Sequence, residues 1–133
     1  MGVKQVTVHC VDIEDKPGSL HSFLAQSSLS GVDYLCFAAF SCGNNRGRVA
    51  VSAKDPRIFE AFAKEANLKA TTAAGFIVEG EDLPGAAAKV IAKLAKNDIS
   101  GIVGTAMVCD GRYKMLIAVD AKNAERAQKV LSD

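Results

Sequence analysis

Asp15-Lys16-Pro17-Gly18 and Asp82-Leu83-Pro84-Gly85 are one turn written twice, 67 residues apart, and that recurrence decides the fold. At the same spacing Leu24 falls on Ile91, Val32 on Ile99, Leu35 on Ile102, Ala39 on Ala106 and Cys42 on Cys109. Further on, Val51-Ser52-Ala53-Lys54-Asp55 meets Val119-Asp120-Ala121-Lys122-Asn123 at a spacing of 68, a one-residue shift that a turn absorbs. A single shared tetrapeptide is common by chance. An ordered set of turn, apolar pattern and helix start at one period marks a duplicated unit.

Working outward from the first turn, residues Val3 to Ile13 alternate, with Val6 and Val8 on one face and Thr7, His9 and Val11 on the other. Period two with β-branched residues reads as a half-buried strand. Asp15 is expected to cap the next helix and Pro17 to sit in its first turn, where a missing N–H is no loss. Leu20, Phe23, Leu24 and Ser27 then fall at i, i+3, i+4 and i+7, and Ser30-Gly31 closes the helix. Val32 to Cys42 is an aromatic-rich strand, Gly43-Asn44-Asn45-Arg46-Gly47 a hairpin connection, and Arg48 to Ala53 the returning strand. Asp55-Pro56 opens a second helix that carries Phe59, Phe62 and Ala66 inward. Only one strand, Leu68 to Glu79, fits before the second turn, so it both closes the first copy and opens the next.

The expected architecture is α+β: two tandem ferredoxin-like βαββαβ units, 1–70 and 71–133, joined by a shared strand near 68–79. Helices pack on one face of an antiparallel sheet. The second copy stops directly after its last helix, so its final strand is expected to be missing, and an uncovered edge invites pairing with another chain.

Bulk properties exclude several functions. Of 133 residues 49% are hydrophobic and 23% charged, which suits burial and argues against disorder. Net charge is +1, and Arg46 with Arg48 is too thin a basic cluster for contact with many phosphates, so no nucleic-acid partner is expected. No apolar run approaches the roughly 20 residues that span a bilayer, and Met1 to Thr7 lacks a signal-peptide core. Cys10, Cys36, Cys42 and Cys109 form no C-x-x-C pair, and His9 and His21 have no second ligand at a zinc spacing. The thiols read as free, in a reducing cytoplasm, with no metal and no cofactor. Ser19 and His21 lie on different helix faces, and the second copy has Ala86 and Ala88 in their places, so no catalytic residue is assigned.

A strand running into Asp-x-Pro-Gly, an amphipathic helix, a Gly-Val-Asp or Asp-Ile-Ser turn and an aliphatic strand pair together resemble the ACT family. Two copies joined by one strand are similar to the stand-alone tandem ACT proteins. The resemblance implies a regulatory sensor, not an enzyme, whose ligand is an amino acid held between units against the loop that follows the first strand. Carried onto this chain, that loop is Asp15, Lys16, Pro17, Gly18, Ser19 and Leu20 in one copy. In the other it is Asp82, Leu83, Pro84, Gly85 and Ala86. Val32 and Asp33, or Ile99 and Ser100, are expected to line the opposite wall. The residue types suit this independently. Free amides at a helix start attract a carboxylate, a glycine admits close approach, and an aspartate accepts from an ammonium group. A homodimer is expected, with a partner enzyme as the second associate. The competing reading is a ligand-free module that docks on an enzyme and uses Pro-Gly only as turn architecture.

Overall fold

The computed structural model describes residues 2–133. In chain order the elements are β1 (Gly2–Glu14), α1 (Ser19–Leu29), β2 (Tyr34–Gly43), β3 (Arg46–Ala53), α2 (Pro56–Glu65), β4 (Ala70–Glu81), α3 (Ala86–Lys96), β5 (Gly101–Cys109), β6 (Arg112–Asp120) and α4 (Ala124–Ser132). The chain divides into two compact units. The first is Thr7–Thr72; the second is Ala73–Asp133 together with residues 2–6 of β1.

In the first unit the hydrogen-bonded order is β2-β3-β1, and both pairings are antiparallel. Val51 stands opposite His9 on one side and Phe37 on the other, while Val49 stands opposite Val11 and Ala39. Because side chains alternate across a strand, Val11, Val49 and Val51 share one face. That face packs on Phe23 of α1 and on Phe59, Phe62 and Ala63 of α2. Helix α2 starts as its sequence dictates: Pro56 is its first residue and the Asp55 carboxylate accepts from the Arg57 N–H at 3.0 Å. Its end is a Schellman motif, with the Leu68 N–H donating to the Ala63 carbonyl and Asn67 in the left-handed region at φ 58°.

The second unit has the order β1-β4-β6-β5, and β6 runs antiparallel to both β4 and β5. Its core gathers Phe76 and Val78 of β4, Val90 and Leu94 of α3, Met115, Ile117 and Val119 of β6, and Ala127 and Leu131 of α4. Val3 of β1 packs against this core.

Two expectations are corrected by these coordinates. The place beside β4, expected to be empty, is taken by the start of β1, where Gly2 lies against Glu79. A 13-residue strand is long enough to serve both units, and counting strands in chain order hides that. The outermost strands are instead β2 and β5. Nor is β1 half-buried at its centre: Val8, His9, Cys10 and Val11 are all buried.

Candidate ligand sites at the two Pro-Gly turns

Both Asp-x-Pro-Gly stretches fold into the same device. The Ser19 N–H donates to the Lys16 carbonyl at 3.2 Å, with Pro17 and Gly18 between them and Gly18 at φ 88°, ψ −14°. The Ala86 N–H donates to the Leu83 carbonyl at 3.0 Å, and Gly85 has φ 85°, ψ 2°. These are type II turns, in which proline presets the first corner and the second demands positive φ. Pro17 therefore belongs to the turn and not to the helix. Gly18 and Gly85, not the aspartates, are the residues that precede the helices.

The helices that leave these turns start differently from the other two. Neither α1 nor α3 has a side-chain cap, and neither has an acidic residue in its first turn. By contrast α2 is capped by Asp55, and α4 carries Glu125 in its first turn. A helix start has four amides without intrahelical partners. In α1 the first intrahelical bond runs from Ser22 to Gly18 and the Ser19 N–H donates to Lys16, while among the described residues Leu20 and His21 have no backbone acceptor; in α3 the corresponding bonds are Lys89 to Gly85 and Ala86 to Leu83, and Ala87 and Ala88 have none. The partial positive end of each helix is thus unneutralised. A Cβ built on Gly18 or Gly85 meets nothing within 4 Å, so the space over each turn is open.

Each turn is pinned to the hairpin of its own unit. The Asp15 N–H donates to the Asn45 carbonyl and the Asp82 N–H to the Gly111 carbonyl. Asp15, expected to cap α1, instead accepts a hydrogen bond from the Ser41 hydroxyl. The Asp82 carboxylate has no partner among the described residues. Lys16 pairs with Glu14 at 2.8 Å on the surface, which holds the Glu14 carboxyl below its ordinary range.

The expected opposite walls lie elsewhere. Helices α1 and α3 have 11 residues each, so their far ends are about 16 Å away. Val32 and Ile99 begin the chain's return at those ends, and both are buried in their units' cores. Asp33 pairs with Lys54 at 2.8 Å, and Ser100 borders a separate cavity of about 390 Å³ with Asp98 and Gly101. A helix carries the chain back along the strand it follows, so residues flanking its two ends cannot face one another across a small ligand.

A group that the sequence pattern does not single out lies at the end of α2. His9 is 1% exposed, its ring packs on Phe59 with centroids 4.9 Å apart, and neither ring nitrogen has a hydrogen-bond partner. Burial pushes its pKa below the ordinary 6.5, against a smaller upward pull from Glu60. A base whose folded pKa is depressed is bound to fewer protons when folded than when unfolded. Stability is therefore expected to be flat above about pH 6.5 and to decline as pH falls below it. His9→Phe, which keeps the ring contact and removes the titration, should abolish that slope in denaturant titrations between about pH 5 and 7.5. A slope unchanged in the variant would assign it to another group.

No family model matches the chain, and no curated protein matches its sequence. Solved structures do match. A protein from Bacteroides thetaiotaomicron superposes with a TM-score of 0.79 at 15% identity, covering 98% of this chain and 88% of that one. The ligand-free regulatory subunit of aspartate kinase from Thermus thermophilus gives 0.64 at 18% identity, covering 99% and 95%. Aspartate kinase from Clostridium acetobutylicum gives 0.68 at 16% identity over 98% of this chain, which spans 33% of that enzyme. The chain shares its mixed α/β fold, an antiparallel sheet with four helices, with the regulatory subunits of aspartate kinase.

Proposed function

We propose that this chain is a tandem ACT-type regulatory sensor, built of two ferredoxin-like units, that binds a small amino acid at its Pro-Gly turns and performs no chemistry itself. The observation that carries the reading is selective: among the α-helices, the two that follow Pro-Gly are left without side-chain cap or first-turn acid. A ligand carboxylate supplies what those helix ends lack, and Asp15 or Asp82 accepts from its ammonium group. The fold shared with aspartate kinase regulatory subunits supports the same reading. We place the protein in the cytoplasm, in keeping with its free thiols.

Calorimetry of the full chain against each of the twenty amino acids should return, for at least one, a dissociation constant at or below about 1 mM. Absence of heat with all twenty would leave the second reading, a docking module without ligand. That reading draws on the outermost strands, where Phe37 and Phe40 of β2 and Met107 and Val108 of β5 are exposed. Such apolar edges suit a homodimer or a partner enzyme. Light scattering at high micromolar concentration distinguishes a dimer from a 14.0 kDa monomer.

A further inference from the structure

We infer that the cavity beside His9, at the end of α2 in the first unit, is a second binding site for a compact zwitterion. It shares its ligand class with the turn sites but rests on a different place and different groups. The cavity has a volume of about 360 Å³ and is lined by His9, Glu60, Lys64, Asn67 and Thr72, with Ala63, Leu68 and Ala70 as its apolar backing.

Three observations converge on it. The first is His9 itself. Its imidazole is buried in the wall of the cavity with both nitrogens unpartnered, a costly arrangement in a core unless something completes it. Its Nε2 lies 3.9 Å from Glu60 Oε1, beyond a hydrogen bond. The second is the pair of charges. Glu60 and Lys64 stand one helical turn apart on α2, yet they form no ion pair with each other. Among the described residues Lys64 has no countercharge within 4.0 Å, and Glu60 has only the His9 ring. The third is the backbone beyond α2. The Schellman end puts Asn67 in the left-handed region, and β4 begins at Ala70 while its ladder with β6 starts only at Ala73.

An anion and a cation set about one turn apart on the lining of one cavity, with an unpartnered imidazole in its wall, complement a ligand bearing both charges. Its ammonium group meets Glu60 and its carboxylate meets Lys64, and a His9 nitrogen, shielded in the cavity wall while the site is empty, takes the remaining hydrogen bond as the ligand seats. A purely anionic solute would face Glu60, and a purely cationic one Lys64.

The test uses the full chain and the histidine ring nitrogens, observed by long-range proton–nitrogen correlation at about pH 7.5, where an unperturbed imidazole is neutral. His21, exposed in the first turn of α1, reports the turn site separately. Glycine and each of the other nineteen amino acids are added singly to about 10 mM. We expect at least one to move the His9 nitrogens to saturation, with a concentration dependence of their own that Gly18→Ala does not alter. Glu60→Gln and Lys64→Met are surface changes on α2 that leave its core face intact, and each should weaken the effect at least about ten-fold. Gly18→Ala should leave it unchanged, which separates this site from the turns. The N-acetyl and methyl-ester forms of the active amino acid should each bind at least about ten-fold more weakly. The inference is overturned if no amino acid moves the His9 ring, if both α2 variants bind as well as the parent, or if a singly charged derivative binds equally well.

Discussion

Phe59→Ala should remove about 3–5 kcal/mol of stability, a large share of what a domain of this size possesses. Phe59 is fully buried, and four rings surround it: His9 at 4.9 Å, Phe62 at 6.0 Å, and Phe23 and Tyr34 at 6.4 Å between centroids. Its removal leaves a cavity bounded by stiff aromatic side chains and by β-branched Val49 and Val51, which collapse poorly around a void. Phe59→Leu should cost far less, because it keeps most of the volume. Denaturant unfolding with an unchanged m-value measures both. A cost below about 1 kcal/mol for Phe59→Ala would mean that the core is not organised around this ring.

Gly18→Val and Gly85→Val carry the second large effect. Each glycine holds the positive-φ corner of a type II turn, where a β-branched residue is a genuine outlier. No atom lies within 4 Å of the new Cβ, so the penalty comes from the backbone and not from a clash. Each substitution should cost about 2 kcal/mol or more, and Gly→Ala at the same sites about 1–2 kcal/mol. Functionally the two readings separate at these positions. In a sensor, a residue that shifts the turn also misplaces the bare amides of the helix beyond it, so amino-acid binding at that turn disappears. In a docking module the same variant loses stability and nothing else.

Most of the fold was legible because its signals are local and repeated. Alternation in Val3 to Ile13, the Phe59 and Phe62 stripe, and the Asn44-Asn45 hairpin each depend on neighbours a few residues away. Their recurrence after 67 residues averages out accidents of any single segment. Residues Asn44 and Asn45 do adopt positive φ, at 55° and 60°, and Asp55-Pro56 does open α2. The features that escaped depend on partners distant in sequence. That β1 lies between β3 and β4 depends on two long-range ladders, one on each side of the strand, and the alternating pattern names neither partner.

The candidate sites divide in the same way. Pro-Gly announced the turns through its own backbone preferences. Asp15 does not cap α1 because the turn puts Gly18 directly before the helix, and its carboxylate instead accepts from Ser41, 26 residues on. Val32 and Ile99 come soon after their turn motifs in sequence, yet the intervening helix sends them to the far end and into the cores. The alternation placed His9 on a face with Thr7 and Val11 and named no partner for its ring. Only the packing of α2 over β1 turns it into a buried ring beside Glu60 and Lys64.

The most direct measurement tracks the backbone amides of Leu20, His21, Ala87 and Ala88 by proton–nitrogen spectroscopy as a calorimetrically active amino acid is added. If the exposed helix starts receive a carboxylate, one or both pairs move downfield and saturate at the calorimetric dissociation constant. Binding that leaves all four resonances in place contradicts the account.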